Sequence, residues 1–199
     1  LSDSPPERDM EWTEAGVEGA HRFLQRLWRL VMDSLETLPA AGTPAPETPG
    51  PAALALRRAT HKAIAGVSED IARFRFNKAV ARLYELANTL SSAGAEGRDA
   101  DVAWARREGL EILVRLSAPM VPHLAEELWQ RLGGGNMLVA QPWPEADPAL
   151  TVEDTVTVAV QVNGKKRATV DLPRDAAEEA ARAAALAAAP VQKALDGKD

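Results

Sequence analysis

The chain has 199 residues, 46% hydrophobic and 26% charged, with no cysteine and a formal net charge of −6. That length and balance allow one substantial folded domain and a smaller one. They exclude disulfide frameworks, thiolate metal sites and cysteine nucleophiles, bilayer-spanning helices, which need roughly 20 apolar residues in a row, and, by the acidic sum, indiscriminate coating of nucleic acid. A cytoplasmic protein is expected, and a start at Leu1 without a signal-peptide pattern suggests a piece of a longer chain.

Apolar residues at three-and-four spacing (Val17, Ala20, Leu24, Leu27, Val31, Leu38) predict a first helix over 14–38, with Arg22, Arg26 and Arg29 on its opposite face. The Pro-, Gly- and Thr-rich stretch 39–51 predicts a surface loop. A second helix over 52–72 should bury Leu56, Thr60, Ala63, Val67 and Ile71, leaving Arg58, His61 and Lys62 outside. After a turn at 74–77, a third helix over 78–92 should bury Val80, Leu83, Ala87 and Leu90. A fourth, over 99–117, has Asp99 as its expected N-cap and Val102, Leu110, Leu113 and Leu116 inside. Pro119 and Pro122 separate it from a short fifth helix carrying Leu124, Leu128, Trp129 and Leu132, which Gly133–Gly135 should terminate. The fold predicted is mainly α: an antiparallel helical bundle over 1–135, a connector over 136–151, and a small α+β domain over 152–199. In that last part the alternating run 155–162, then Asn163-Gly164, then 167–172 predicts a hairpin, followed by helices near 176–188 and 191–195. A β-hairpin with helices is a thin core, so this unit is expected to be truncated.

No motif for chemistry emerges. His21, His61 and His123 lie far apart, and His123-Leu124-Ala125-Glu126-Glu127 lacks the second histidine of a zinc helix. No Gly-rich phosphate loop occurs. Glu69-Asp70 and Glu126-Glu127 are sequence neighbours, which do not face each other on a helix, and are expected to be surface charge. Of Trp12, Trp28, Trp104, Trp129 and Trp143, all able to stack bases, Trp28 and Trp129 fall on apolar stripes and are expected in the core. A basic stretch stands out against the acidic whole: from Leu56 to Arg82 there are seven Lys or Arg residues and two carboxylates, +5 locally and −11 for the remainder. That stretch suits phosphate or a solvated helix face equally well.

Several segments resemble a known family. Residues 5–12 (PPERDMEW), 18–24 (EGAHRFL) and Leu27-Trp28 are similar to the segment that follows the catalytic core of bacterial leucyl-tRNA synthetases. Residues 56–62 (LRRATHK) and 76–79 (FNKA) resemble the next helices of that family's anticodon-binding bundle. Residues 118–129 (APMVPHLAEELW) are shared with the isoleucyl, valyl and methionyl relatives. Residues 160–165 (VQVNGK), after Val152-Glu153-Asp154, resemble the start of the leucyl enzyme's small C-terminal domain.

The resemblance implies the tRNA-binding portion of a leucine-tRNA ligase, an ATP-dependent enzyme of protein biosynthesis. The HIGH and KMSKS-type motifs are missing from this sequence, so the piece is expected to be catalytically inactive and to hold no cofactor; ATP with Mg would serve the catalytic domain of the same chain. The resemblance also implies a further strand past Asp199. Leucine tRNA is the expected partner, docked through phosphate and sugar by Arg22, Arg26, Arg29, Arg57, Arg58, His61, Lys62, Arg73, Arg75, Lys78, Lys165, Lys166 and Arg167, without reading of the anticodon. Replacing Arg58 by Ala is expected to weaken all tRNAs alike. The alternatives are the matching piece of an isoleucyl or valyl enzyme, or a helical protein-interaction module without RNA.

Overall fold

A computed structural model describes residues 13–93, 99–152, 155–173 and 176–196. The chain divides into two units, Leu1–Thr151 and Val152–Asp199. The first holds α1 (Glu14–Met32), α2 (Pro51–Ala72), α3 (Phe76–Ala93), α4 (Ala100–Ser117), α5 (Pro122–Arg131) and the single turn α6 (Pro148–Thr151). The second holds β1 (Thr155–Val162), β2 (Lys165–Pro173), α7 (Glu178–Ala187) and α8 (Ala189–Asp196). Among the described residues no helix is long and apolar enough to cross a membrane. The quoted segment 5–12, with Trp12, lies outside the described residues, as do Glu153 and Asp154.

Helix ends follow local chemistry. The Thr13 hydroxyl accepts the Gly16 N–H at 3.2 Å and caps α1, while Pro51 and Pro122 sit in the first turns of α2 and α5, where a missing N–H costs nothing. Asp99 precedes α4 without a side-chain capping bond. Past α5, Gly133 turns left-handed (φ +90°), its N–H reaching the Gln130 carbonyl and that of Gly134 the Trp129 carbonyl, both at 2.9 Å. That is a Schellman ending. The same pair of bonds ends α2, from Phe74 N–H to Ile71 at 3.0 Å and from Arg75 N–H to Asp70 at 2.7 Å, yet the left-handed position is held by Phe74 (φ +55°). For a residue with a bulky Cβ this costs about 1–2 kcal/mol.

The core runs through α2, α3 and α4. Leu56, Ile64 and Val67 of α2 meet Leu83, Leu86 and Leu90 of α3 and Leu110, Leu113 and Leu116 of α4. From α1 the core receives Phe23, Leu27, Leu30 and Val31, and Phe23 stacks on Tyr84 with ring centroids 3.8 Å apart. The predicted stripe is corrected at its start: Val17 and Ala20 are exposed. The reason is steric, since Ala15, Gly16, Gly19 and Ala20 are too small to fill the space against Asn77, Val80, Ala81 and Tyr84 and leave an open groove. Trp28 and Trp129 are half-buried against the core, not enclosed in it.

Residues 136–151, expected as a connector, belong to the first unit and are tied to it. The Glu126 carboxylate accepts the N–H groups of Leu138 and Val139 at 2.8 and 2.9 Å, and Arg115 donates to the Pro142 carbonyl at 2.5 Å. Trp143 Nε1 donates to Ser68 Oγ at 2.8 Å, and Leu138 and Leu150 are buried. Glu126, expected as surface charge, is therefore a strap. The proline-rich loop is fastened in the same way: Trp104 Nε1 donates to Thr43 O, and Gly50 N–H to Asp101 Oδ2, both at 2.8 Å.

In the second unit β1 and β2 pair antiparallel around Asn163-Gly164, whose φ values of 54° and 75° are those of a type I′ turn. The ladder slips between Val160 and Gln161, leaving Arg167 as an extra residue, so β2 runs on toward the turn through Lys165 and Lys166. Leu172 and Val191 are buried, whereas Val156 and Val158 keep more than a third of their surface exposed.

Gly109 of α4 lets three helices close up, since a Cβ there would sit 2.5 Å from Leu90 Cδ2 and 3.1 Å from Thr60 Oγ1, both in the core. Gly109→Ala is expected to cost about 1–3 kcal/mol through overpacking, despite the better helix propensity of Ala, and a thermal melt would show it as a lowered Tm.

Candidate nucleic-acid interface

The basic stretch from Leu56 to Arg82 folds as α2, the Phe74 turn and the start of α3. Its carboxylates decide which of its cations remain available. Asp70, expected on the surface, is 1% exposed, and its carboxylate meets Arg82 Nε at 2.7 Å and an Arg75 η-nitrogen at 2.8 Å. Burying a carboxylate is costly unless cations of this kind compensate it. Exposed Glu69 pairs with Arg73 at 3.1 Å and with Arg75 at 3.4 Å.

A second cluster lies between α2 and α4. Arg57 lies over the Trp104 ring, 5.3 Å from its centroid, and meets Glu108 through Nε at 3.0 Å. Against expectation His61 is buried. Its Nδ1 accepts the Asp147 N–H at 2.9 Å, so the neutral ring carries its proton on Nε2, which faces Glu108 Oε1 at 3.4 Å. Burial works to raise the Glu108 carboxyl, but hydrogen bonds from His61 and Arg57 outweigh it and hold the group below the ordinary carboxylate value. Glu111 goes the other way, raised by burial although Arg107 stands 2.8 Å away. Arg107, which no motif or periodicity singles out, is buried and donates to the Pro39 and Leu132 carbonyls, bracing the proline-rich loop against the end of α5.

The remaining site residues divide by environment. Arg22 is exposed and faces Glu18 at 3.4 Å. Arg26 donates to Ser91 Oγ at 3.3 Å, and Arg29 is exposed with a long bond to the Gln25 carbonyl. Arg58 is half-buried and Lys62 exposed. Lys78, Lys165, Lys166 and Arg167 are exposed, and no ion pair holds them among the described residues. The last three adjoin the hairpin turn, where the slipped register interrupts the alternation that would send successive side chains to opposite faces. Among the described residues no cluster of His, Asp or Glu suits a metal ion.

The sequence profile of the anticodon-binding domain of tRNA ligase matches residues 54–182, about two thirds of the chain. The chain belongs to the anticodon-binding domain family of tRNA ligases. Its similarity to leucine-tRNA ligases runs over its full length: 55% identity to that of Rhodospirillum centenum and 56% to that of Paramagnetospirillum magneticum, covering 24% and 22% of those proteins. The chain thus spans about a quarter of the length of these relatives. Among solved structures it resembles the LeuRS of Agrobacterium radiobacter K84, crystallised as a ternary complex with tRNA and LeuAMS. The TM-score is 0.78 at 28% identity, over all of this chain and 26% of that one. The family match starts inside α2 and ends inside α7, so α1 and α8 lie outside it.

The Glu108 cluster gives a pH test of what holds this bundle together. Glu108→Gln keeps the shape but removes the charge, and is expected to cost about 1–3 kcal/mol near neutral pH. Because the folded carboxyl titrates below its unfolded value, its contribution is present above the ordinary carboxylate range and fades as pH falls through the folded value. The Tm gap between parent and variant should therefore narrow on going from pH 7 to below about 4; an undiminished gap in acid would show that the charge is not what stabilises.

Proposed function

We propose that this chain is the tRNA-docking portion of a leucine-tRNA ligase, and that it positions tRNA for an active site formed elsewhere in the enzyme. The observation that carries this is 55% identity over the whole chain to leucine-tRNA ligases; the resemblance to a LeuRS solved with tRNA supports it. The same relatives weigh against an isoleucyl or valyl origin. On this proposal ATP and Mg act in the catalytic portion, no cofactor belongs to these residues, and the setting is the cytoplasm.

Of the expected contacts, those that no carboxylate pairs among the described residues are preferred for phosphate: Arg26, Arg29, Lys78, Lys165, Lys166 and Arg167. Arg57, Arg75 and His61 act mainly in holding the bundle, and Arg73 is paired with Glu69 on the surface. Contacts of this kind orient tRNA without reading its sequence, and binding should fall steeply as salt displaces them. A helical protein-interaction module without RNA draws on the −6 charge and on the number of neutralised arginines.

Filter binding of the chain to leucine tRNA and to an unrelated tRNA across a salt series separates the two. Preference for leucine tRNA with a steep salt slope is expected; no binding even at low salt would favour the interaction module. Replacing Lys165, Lys166 and Arg167 together by Ala should weaken both tRNAs alike and flatten the slope by up to about three, one per lost phosphate contact. An unchanged slope would remove the hairpin tip from the interface.

A further inference from the structure

Phe74 joins two features that are each unfavourable for the isolated fold. It holds the left-handed position that ends α2, where glycine would sit without strain, as Gly133 does at the end of α5. It is also 67% exposed, the most exposed aromatic ring among the described residues. Its ring contact there is T-shaped, to Phe76, with centroids 6.1 Å apart, an arrangement that leaves at least one face of Phe74 uncovered by that neighbour. A strained backbone that presents an uncovered aromatic side chain stabilises nothing visible in this bundle, and such strain concentrates where a residue serves a ligand.

The surroundings indicate the ligand. Between Glu69 and Arg82 stand four cations, Arg73, Arg75, Lys78 and Arg82, against two carboxylates, so this corner keeps a positive excess after its ion pairs are formed. Lys78, in the first turn of α3, has no carboxylate partner among the described residues. An aromatic face beside surplus positive charge is complementary to an unpaired nucleotide, whose base stacks while its phosphate meets the cation. We propose that Phe74 is a stacking residue for an unpaired base of the docked RNA, with Lys78 on the adjoining phosphate. This rests on the tRNA-docking function proposed above and adds to it a defined contact at the α2–α3 corner.

The strain makes the test clean, because the informative variant relieves it. Phe74→Gly should melt at or above the parent temperature, yet bind leucine tRNA about five- to a hundred-fold more weakly at moderate salt, the range for one lost aromatic–base stack. Phe74→Tyr, which keeps a π-face, should bind like the parent, whereas Phe74→Leu, which keeps bulk and strain without one, should bind like Phe74→Gly. Equal tRNA affinity for the parent, Phe74→Gly and Phe74→Leu would overturn the stacking role while leaving tRNA docking intact. If the parent itself fails to bind tRNA at low salt, the docking function fails and the stacking role with it.

Discussion

Two carboxylates, Asp70 and Glu108, govern how α2 sits in the bundle. Both are buried or nearly so, and a charge removed from water must be compensated by cations or hydrogen bonds. Asp70 draws Arg82 of α3 and Arg75 of the turn onto the end of α2, while Glu108 of α4 draws Arg57 and His61 from its middle. His61 in turn accepts from Asp147, so the segment after α5 is tied to the same cluster. The tight packing around Gly66 and Gly109 depends on these helices holding their places: a Cβ at Gly66 would collide with Arg82, and one at Gly109 with Leu90.

The pairings have a functional consequence. A basic run in an acidic protein looks like a continuous strip for phosphate, yet much of its charge is spent inside the fold. The cations that no carboxylate pairs among the described residues include Arg26 and Arg29 on α1, Lys78 past the Phe74 corner, and three beside the Asn163-Gly164 turn. Contacts carried by several different elements suit a partner recognised by its shape and backbone, for which a few phosphates set register and orientation.

Helix positions were legible because an apolar stripe at three-and-four spacing is a local property: Leu83, Ala87 and Leu90, and likewise Leu110, Leu113 and Leu116, face the core as their spacing requires. The hairpin was legible in Asn163-Gly164, since few other pairs tolerate positive φ twice in succession. Residue roles set by distant partners were not. Arg57 meets Glu108 across 51 positions and His61 accepts from Asp147 across 86, separations that no periodicity encodes. Hence His61 and Asp70 read as surface residues, and 136–151, with its three prolines and no apolar stripe at helical or strand spacing, read as a connector although Glu126, Arg115 and Ser68 hold it down. The left-handed Phe74 carried no sequence signal, because the ending it adopts normally announces itself with glycine.

The proposal that ion pairing selects which cations meet RNA is most directly tested by arginine-selective dicarbonyl labelling, with peptide mass spectrometry reading each site in the free chain and in its complex with leucine tRNA. Arg29 and Arg167 should label readily when free and be shielded by tRNA. Arg57, Arg75 and Arg107 should label weakly and equally in both states. Shielding centred on Arg57 and Arg75, with Arg29 and Arg167 unaffected, would contradict the account.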